Sequence, residues 1–380
     1  MTDAPVVVLG SGLAGWTSIK EFRKHDSQTP VVLVTASSGD AYPKPALSTA
    51  FAQGKTAQQL VNGLATDLAA SLNVQCHAHS HAHALHLANR ELHTDTQVFS
   101  YSRLVLALGA EPIRLPLEGD AADRVLSVNQ WADYALLRER LQPGAKVLIM
   151  GAGLIGCEFA NDLAGAGFEV HVVDPATRPL AALLPEAASA PLHQALGALG
   201  VVWHLNNRVS SVSHQGPALQ AHLHSGETLQ VDMVLSAIGL RPDTAWLAQA
   251  GLACDRGVRV NTQLQTSDPH VYALGDVAQY ASAGDRVLPY VMPIMTAARA
   301  LGATLAGTPT DVVFPVMPVA VKTPAFALLL ALPEPGTVGN WQTSEEHVWQ
   351  FMAEDGRCRG FVLGGKQTAL RTKAMQWLAA

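Results

Sequence analysis

The sequence lacks any pair of closely spaced cysteines. Its four cysteines stand far apart in a chain of 380 residues, and no CxxC or CxxxxC segment joins two of them. Such pairs form the redox-active disulfides of dithiol enzymes and hold zinc or iron–sulfur clusters. We therefore expect no internal disulfide relay, no metal ligation and no cluster. The four positions are Cys76, Cys157, Cys254 and Cys358.

Long apolar runs are also missing. The longest strongly apolar stretch covers residues 325–332, whereas a membrane-spanning helix needs about 20 apolar residues. The N-terminus leads directly into a strand pattern rather than into a signal peptide. These features predict a cytoplasmic protein without membrane insertion. A hydrophobic content of 48% over 380 positions predicts two or three globular domains.

The third absence is an excess of positive charge. The formal net charge of -6 argues against nucleic acid as a partner. The last 25 residues are an exception, because they contain no Asp or Glu. Such a basic tail either faces an acidic partner or is an ordinary solvated surface, and the sequence leaves both interpretations open. The basic tail consists of Arg357, Arg359, Lys366, Arg371 and Lys373.

The sequence does contain two dinucleotide-binding fingerprints of the form GxGxxG. The first glycine permits a tight strand-to-helix turn, the second lets a pyrophosphate approach the backbone, and the third allows close packing of helix on strand. The phosphates then lie at a helix N-terminus. Two such motifs in one chain predict two bound dinucleotides and electron transfer between them. The motifs are Gly10, Gly12 and Gly15 after the apolar run 6–9, and Gly151, Gly153 and Gly156 after 147–150.

Each fingerprint opens a pattern typical of a βαβ unit, so the two halves resemble internal repeats of one module. After residue 315 the pattern changes to β-rich runs with a final helix, which indicates a small third domain. The predicted elements are helices over 13–25, 154–166 and 295–305, and strands over 30–35, 104–108, 169–174, 234–238 and 271–276.

A run of alternating histidines covers residues 77–83. In one continuous strand, this alternation would place four imidazoles on one face, an arrangement that could hold a metal. No carboxylate accompanies the run, and Cys76 is the one cysteine beside it. We therefore favour a solvent-facing strand with histidines pointing outward.

The second fingerprint favours NADH over NADPH. Asp174 lies 23 residues after Gly151, at the end of the next predicted strand. A carboxylate in that position accepts hydrogen bonds from ribose hydroxyls and repels a 2′-phosphate. Arg178 is the opposing feature, because a loop arginine could accommodate that phosphate.

Together these motifs resemble the pyridine-nucleotide-dependent flavoprotein oxidoreductases with two dinucleotide-binding domains, over essentially the whole chain. The turns 107–109 and 237–239 are similar to the crossover signatures of that family. The run 266–276 is similar to its second FAD motif, whose closing aspartate hydrogen-bonds the ribityl chain. The resemblance implies an α/β fold with two Rossmann-like domains, one for FAD and one for NAD, and a small α+β C-terminal domain. The implied boundaries are 1–112 with 240–315 for FAD, 113–239 for NAD, and 316–380 for the C-terminal domain.

Together with the fingerprints, the resemblance assigns the cofactor-binding residues. The segment 42–48 is similar to one that lies beside the flavin in ferredoxin-reductase-like members. The residues assigned to non-covalent FAD are Gly10, Gly12, Leu13, Ala14, Gly15, Thr35, Lys44, Pro45, Ala107, Gly109, Gly275, Asp276, Val291 and Lys322. The residues assigned to NADH are Gly151, Gly153, Leu154, Ile155, Gly156, Glu158, Asp174 and Gly239.

Two departures from the family pattern shape the expected chemistry. Where the family often has a carboxylate for the adenosine ribose of FAD, the run 34–36 offers only the hydroxyl of Thr35. Where related ferredoxin reductases have a lysine, this chain has Thr49. We expect Lys322 to supply the cation beside the flavin and to pair with Glu158, both as catalytic residues. The alternative is an ordinary salt bridge between domains.

The segments 151–163, 290–293 and 321–325 are most similar to the branch of this superfamily that reduces rubredoxin. This similarity implies hydride transfer from NADH to FAD, followed by single-electron transfer to rubredoxin, a small acidic iron protein, as in alkane hydroxylase or oxygen-stress electron chains. The alternatives are a ferredoxin reductase or an NADH oxidase of the same fold. From another class, a redox-sensing interaction protein that binds FAD and NADH stays open.

Overall fold

The computed structural model describes residues 4–378, which form two compact units. The first unit contains the chain up to residue 43 together with residues 58–111 and 240–317. The second contains residues 44–57, 112–239 and the chain from residue 318. Within the described residues, no helix is long and apolar enough to cross a membrane. The three-domain boundaries implied by the resemblance stay a prediction.

A five-stranded parallel sheet forms the base of the first unit. Parallel strands that are covered on both faces read as continuous apolar runs. Strands β1 and β2 have this composition, with sequences VVVL and VVLV in which every residue is buried. The strands are β1 (Val6–Leu9), β2 (Val31–Val34), β3 (Gln75–His77), β7 (Arg103–Leu106) and β18 (Val271–Ala273), in the order β18-β7-β1-β2-β3.

Helices and two smaller sheets complete the first unit. The helices are α1 (Leu13–Arg23), α2 (Ala65–Leu72), α6 (Ala245–Gln249) and α7 (Val291–Leu305). Helices α1 and α7 pack so closely that a Cβ on Gly302 would lie 2.7 Å from the Glu21 backbone. The smaller sheets contain β4 (Ala82–His86), β5 (Glu91–Thr94) and β6 (Val98–Ser100), and β17 (Val258–Val260), β19 (Ala278–Tyr280) and β20 (Arg286–Val287).

The second unit repeats the parallel-sheet plan with four strands. These are β9 (Lys146–Met150), β10 (Glu169–Asp174), β11 (Val202–Leu205) and β15 (Met233–Ser236), in the order β11-β10-β9-β15. Its helices are α3 (Trp131–Arg140), α4 (Leu154–Gly165) and α5 (Glu186–Ala198). An antiparallel sheet of β12 (Val209–Gln215), β13 (Ala218–Leu223) and β14 (Thr228–Val231) interrupts the parallel plan.

The C-terminal part of the second unit is a five-stranded antiparallel sheet followed by a helix. Phe361 and Leu363 of the sheet form a buried cluster with Ala374 of the helix. The strands are β21 (Val319–Val321), β22 (Leu328–Ala331), β23 (Gly339–Glu345), β24 (Val348–Ala353) and β25 (Cys358–Gly364), and the helix is α8 (Arg371–Trp377). The two-residue strands β8 (Glu111–Pro112) and β16 (Leu240–Arg241) lie where the chain passes between the units.

The predicted α/β class with a small α+β C-terminal part is confirmed, and the strand predicted over 169–174 has these bounds in the structure. The strand predicted over 271–276 is shorter, because residues Gly275–Val277 form a 3-10 turn. The prediction of one histidine-rich strand was wrong. Strand β3 ends at His77 and β4 begins at Ala82, since His79 has a φ of 52° and breaks the extended backbone.

Candidate functional site

The first glycine turn leaves no room for side chains where the chain folds on itself. Gly10 has a φ of +109°, and a Cβ there would lie 2.3 Å from the Ala107 carbonyl oxygen. A Cβ on Gly15 would lie 1.9 Å from the Gly10 carbonyl oxygen. A Cβ on Gly12 meets no described atom within 4 Å, so the backbone is open at the position where a pyrophosphate would approach. This geometry fits the expected dinucleotide.

The second FAD motif lies at this same turn. A Cβ on Gly275 would be 3.1 Å from the Cβ of Ala14 in the first turn of α1. Tyr280 holds the motif in place, because its hydroxyl accepts a hydrogen bond from Gly275 N at 2.7 Å. Asp276 follows directly, within the 3-10 turn. Two of the predicted FAD residues are exposed apolar side chains, namely Leu13 and, at the start of α7, Val291.

The second glycine turn repeats the geometry of the first. A Cβ on Gly151 would lie 2.6 Å from the Ala237 carbonyl oxygen, and one on Gly156 would lie 1.9 Å from the Gly151 carbonyl oxygen. Gly153 is again open. Leu154 begins α4 and Ile155 is exposed, so the helix N-terminus faces outward, where phosphates bind.

Asp174 organises the edge of the second turn. One carboxylate oxygen accepts a hydrogen bond from Ala152 N at 2.6 Å, and the other accepts one from Ala176 N at 2.7 Å. A carboxylate has about four lone-pair sites, so capacity for ribose hydroxyls is left. Arg178 donates to the carbonyl oxygens of Ala181 and Leu184. These loop contacts hold the guanidinium that could otherwise contact a 2′-phosphate.

An ion pair joins the buried Glu158 of α4 to the half-buried Lys322, as predicted. The ammonium lies 2.8 Å from Glu158 Oε2, and the Glu158 side chain is 3% exposed. The Ser48 hydroxyl donates to the same carboxylate oxygen at 2.6 Å, and Lys322 N donates to the other at 3.0 Å. Lys322 Nζ also donates to the Pro45 carbonyl oxygen and to Ser48 Oγ. Ion pair and hydroxyl therefore form one cluster within the second unit.

Helix α4 fixes two further chain segments through residues one turn beyond Glu158. The Asp162 carboxylate accepts hydrogen bonds from Phe51 N at 2.8 Å and Ala52 N at 3.0 Å. Asn161 Oδ1 accepts one from Ala325 N at 3.0 Å. Burial raises the pKa of the Asp162 carboxyl, while the two backbone donors oppose the shift. Asn161 and Asp162 were not among the predicted site residues, although their spacing from Glu158 places them on the same face of a helix.

The predicted FAD residues are divided between the units. Lys44, Pro45 and Lys322 belong to the second unit, and the remaining predicted FAD residues belong to the first. Lys44 begins a 3-10 turn that ends at Ala46. The predicted NADH residues all lie in the second unit. Their roles in cofactor binding stay a prediction.

The four cysteines are unpaired thiols. Burial raises the pKa of each thiol, most strongly that of Cys157 in α4. A thiol with a raised pKa is a poor nucleophile near neutral pH. Within residues 4–378, no three His, Cys, Asp or Glu side chains form a group that could hold a metal.

The basic tail is less uniformly basic in three dimensions than in sequence. Arg359 forms an ion pair with Asp355 at 2.7 Å, just upstream of the last 25 residues. Lys366, Arg371 and Lys373 are exposed. Arg357 is exposed as well and lies on the same turn as Asp355.

Comparisons with known proteins agree with this geometry. Residues 4–302 match the family model described as pyridine nucleotide-disulphide oxidoreductase. Residues 311–380 match the model described as rubredoxin binding C-terminal domain. The chain is 42% identical to a rubredoxin-NAD(+) reductase of Alcanivorax borkumensis, over 99% of both chains. It is 40% identical to a nitric oxide reductase FlRd-NAD(+) reductase of Aeromonas salmonicida, over 95% of this chain and 93% of the relative.

Solved structures match over the whole length. A covalent putidaredoxin reductase–putidaredoxin complex matches with a TM-score of 0.88 and 23% identity, covering 100% of this chain and 94% of the other. At this identity the match supports the fold alone. A second structure, Fdr9, matches with a TM-score of 0.86 and 27% identity, covering 99% of this chain and 95% of the other.

Proposed function

Because this chain belongs to the pyridine nucleotide-disulphide oxidoreductase family, we propose that it takes a hydride from NADH and passes single electrons to rubredoxin through FAD. The observation that carries this proposal is the presence of two open glycine turns in a chain whose residues 311–380 match a rubredoxin-binding domain. When bound, NADH supplies the hydride, and FAD accepts the electron pair and releases the electrons singly. The cysteines take no part, since their thiols are unpaired and burial keeps them protonated.

Each glycine turn has its own proposed cofactor. The turn beginning at Gly10 binds the FAD pyrophosphate at the N-terminus of α1, and Asp276 orients the ribityl chain. The turn beginning at Gly151 binds the NADH pyrophosphate at the N-terminus of α4, and Asp174 accepts the adenosine ribose hydroxyls. The open second glycine of each turn supports these assignments.

Glu158 and Lys322 are the proposed catalytic pair. A cation held at the flavin favours its electron-rich reduced form, because it stabilises the developing negative charge. Glu158 keeps the ammonium in a fixed position through the 2.8 Å ion pair. Ser48 and Pro45 accept its other hydrogen bonds, so the side chain has little rotational freedom.

We place this reaction in the cytoplasm. NADH is a cytoplasmic electron donor, and unpaired thiols are typical of a reducing compartment. The four cysteines of the chain are unpaired in the structure.

The acceptor is tested by turnover. We expect NADH-dependent reduction of rubredoxin to exceed that of a [2Fe-2S] ferredoxin or of oxygen by about tenfold or more at matched concentrations. High salt is expected to slow rubredoxin reduction strongly, because the exposed charges of the basic tail attract an acidic protein. Ferricyanide reduction serves as the control, since it does not depend on protein docking.

Each other outcome points to a different conclusion. Faster reduction of ferredoxin or oxygen would assign the chain to one of the alternative enzymes of this fold. Flavin reduction without turnover of any acceptor would favour a redox-sensing protein. Rubredoxin turnover that does not change with salt would contradict electrostatic docking through the basic tail.

Removing the charge of Asp174 is expected to weaken the preference for NADH. In Asp174→Asn, we expect the ratio of kcat/KM for NADH to that for NADPH to fall about tenfold, because the repulsion of a 2′-phosphate is lost. The amide oxygen can still accept a hydrogen bond from Ala152 or Ala176. Flavin content serves as the control and should stay at the wild-type level. If the ratio of kcat/KM for NADH to that for NADPH did not change, the assignment of Asp174 to the NADH site would be wrong.

A further inference from the structure

The two glycine turns can be compared position by position, because the same strand register frames both. Leu9, just before Gly10, pairs with Val34, and Met150, just before Gly151, pairs with Val173. Gly10 N donates to Val34 O at 2.8 Å, and Gly151 N donates to Val173 O at the same distance. The residues that follow Val34 and Val173 therefore occupy the same place. These residues are Thr35 in the first unit and Asp174 in the second.

The chemistry at this shared place differs between the turns. In the second turn, a carboxylate oxygen of Asp174 accepts a hydrogen bond from Ala152 N. In the first turn, Ser11 stands at the position of Ala152, and its hydroxyl lies 2.9 Å from that of Thr35. The Ser37 hydroxyl closes the group at 3.2 Å from Ser11 and 3.1 Å from Thr35. We call Ser11, Thr35 and Ser37 the hydroxyl triad.

The hydroxyl triad is uncharged and opens to solvent on one side. Ser11 and Thr35 are buried, at 7% and 5% exposure, while Ser37 is exposed. Each hydroxyl offers one proton and two lone pairs, so the group can both donate to and accept from a sugar hydroxyl. A carboxylate in this place could accept hydrogen bonds but could not donate one. The triad therefore offers hydrogen bonding without negative charge.

The nearest carboxylate along the chain is engaged elsewhere. Asp40 accepts a hydrogen bond from Ala65 N at 2.8 Å through one oxygen, and from Ser38 Oγ at 2.9 Å through the other. Cys76, near Asp40, stays neutral because burial and the Asp40 charge raise the pKa of its thiol. The Asp40 carboxylate is therefore hydrogen-bonded to Ala65 and Ser38 rather than to any member of the triad.

We propose that the hydroxyl triad binds the adenosine ribose of FAD in place of a carboxylate, and that the first site consequently accepts a 2′-phosphate on that ribose. The proposal rests on FAD binding to the first glycine turn, which belongs to the proposed function. The two nucleotide sites of this chain then differ in selectivity: the Asp174 site excludes a 2′-phosphate by charge, and the triad site does not.

Displacement of FAD from the protein tests this selectivity. The FAD-loaded protein is titrated with ADP, 2′-deoxy-ADP and 2′,5′-ADP, and flavin fluorescence reports release from the site that FAD occupies. For the wild type, we expect 2′,5′-ADP to compete within about threefold of ADP. For Thr35→Asp, we expect 2′,5′-ADP to compete at least about tenfold less well than ADP, because a carboxylate then opposes the phosphate.

The hydrogen-bonding part of the proposal is tested with Thr35→Val. We expect this variant to bind ADP about fivefold more weakly and 2′-deoxy-ADP with unchanged affinity, because only ADP has the hydroxyl that the triad contacts. Thr35→Ser keeps the hydroxyl and should restore ADP binding. Thr94→Val is the matched control, since Thr94 is also buried, at 8% exposure, and hydrogen-bonds Ser80 and Thr96 at 3.0 Å outside the glycine turn.

Three results would contradict the proposal. If 2′,5′-ADP competed with FAD much less well than ADP in the wild type, another negative charge would have to repel the 2′-phosphate at the first site. If Thr35→Val weakened the binding of ADP and of 2′-deoxy-ADP equally, the role of the triad would be structural only. A wild-type protein that does not bind FAD would overturn the proposed function itself, whereas FAD binding that ignores the triad would overturn this inference alone.

Discussion

Replacing Lys322 by methionine is expected to lower the free energy of unfolding by about 3 kcal/mol, because it leaves a buried carboxylate without its cation. The Glu158 side chain is 3% exposed and would keep only the hydrogen bonds from Ser48 Oγ and the backbone N–H of residue 322. We also expect reduction of the flavin by NADH to slow by about tenfold or more, since the proposed cation at the flavin is lost. Denaturant unfolding and stopped-flow absorbance measure the two effects.

A second ion pair of the same unit provides a matched control. Lys146 pairs with Glu169 at 2.8 Å and its side chain is 35% exposed, as is that of Lys322, but the Glu169 side chain is 52% exposed. We expect Lys146→Met to cost less than about 1 kcal/mol, because solvent screens an exposed carboxylate. In the double variant Glu158→Gln/Lys322→Met, stability should partly recover. Equal losses for both lysine variants would contradict a special role for burial.

The second large effect is expected from the two open glycines. Gly12→Ala should weaken FAD binding about 100-fold and leave the unfolding temperature of the FAD-free protein nearly unchanged, because the added Cβ meets no described atom but occupies the path of the pyrophosphate. Gly153→Ala should weaken NADH binding to the same extent, while FAD stays bound. Flavin fluorescence, NADH titration and calorimetry separate these outcomes.

Substituting the third glycine of a motif is expected to destabilise the protein, unlike substituting the second. In Gly15→Ala, the new Cβ would lie 1.9 Å from a backbone carbonyl oxygen, so strand and helix would have to separate. We expect this variant to lose stability and flavin together. If Gly12→Ala kept its FAD, or destabilised the protein as much as Gly15→Ala, the assignment of the pyrophosphate to the open glycine would be wrong.

Local patterns were sufficient to predict the parallel sheets and both glycine turns. The fingerprints specify a turn through residues that are neighbours in the chain, and buried parallel strands read as continuous apolar runs. The same kind of reasoning failed for the histidine run. Alternation fits a strand, but the left-handed backbone at His79 divides the run between two sheets, and no feature of the alternation indicates that break.

Contacts between distant residues were predictable only where the family resemblance supplied them. The Glu158–Lys322 pair joins residues 164 positions apart and followed from the resemblance. The Ser48 hydroxyl reaches the same carboxylate across 110 positions. The resemblance marks the segment 42–48 that contains Ser48, but it assigns Ser48 no role. The hydroxyl triad was visible only as the absence of a carboxylate after Val34. Its three hydrogen bonds depend on the conformation of the loop 35–37, which no pattern in the sequence specifies.

The interleaving of the two units has a consequence for how the chain is made. The sheet of the first unit lacks β18 until residue 273 has been synthesised, and Glu158 has no ammonium partner until Lys322 follows 164 positions later. Domains usually fold in order from the N-terminus during synthesis. Here the first unit is complete only at residue 317, and the second needs the chain from residue 318. A nascent chain that ends at residue 317 would therefore contain Glu158 without Lys322, its partner in the ion pair.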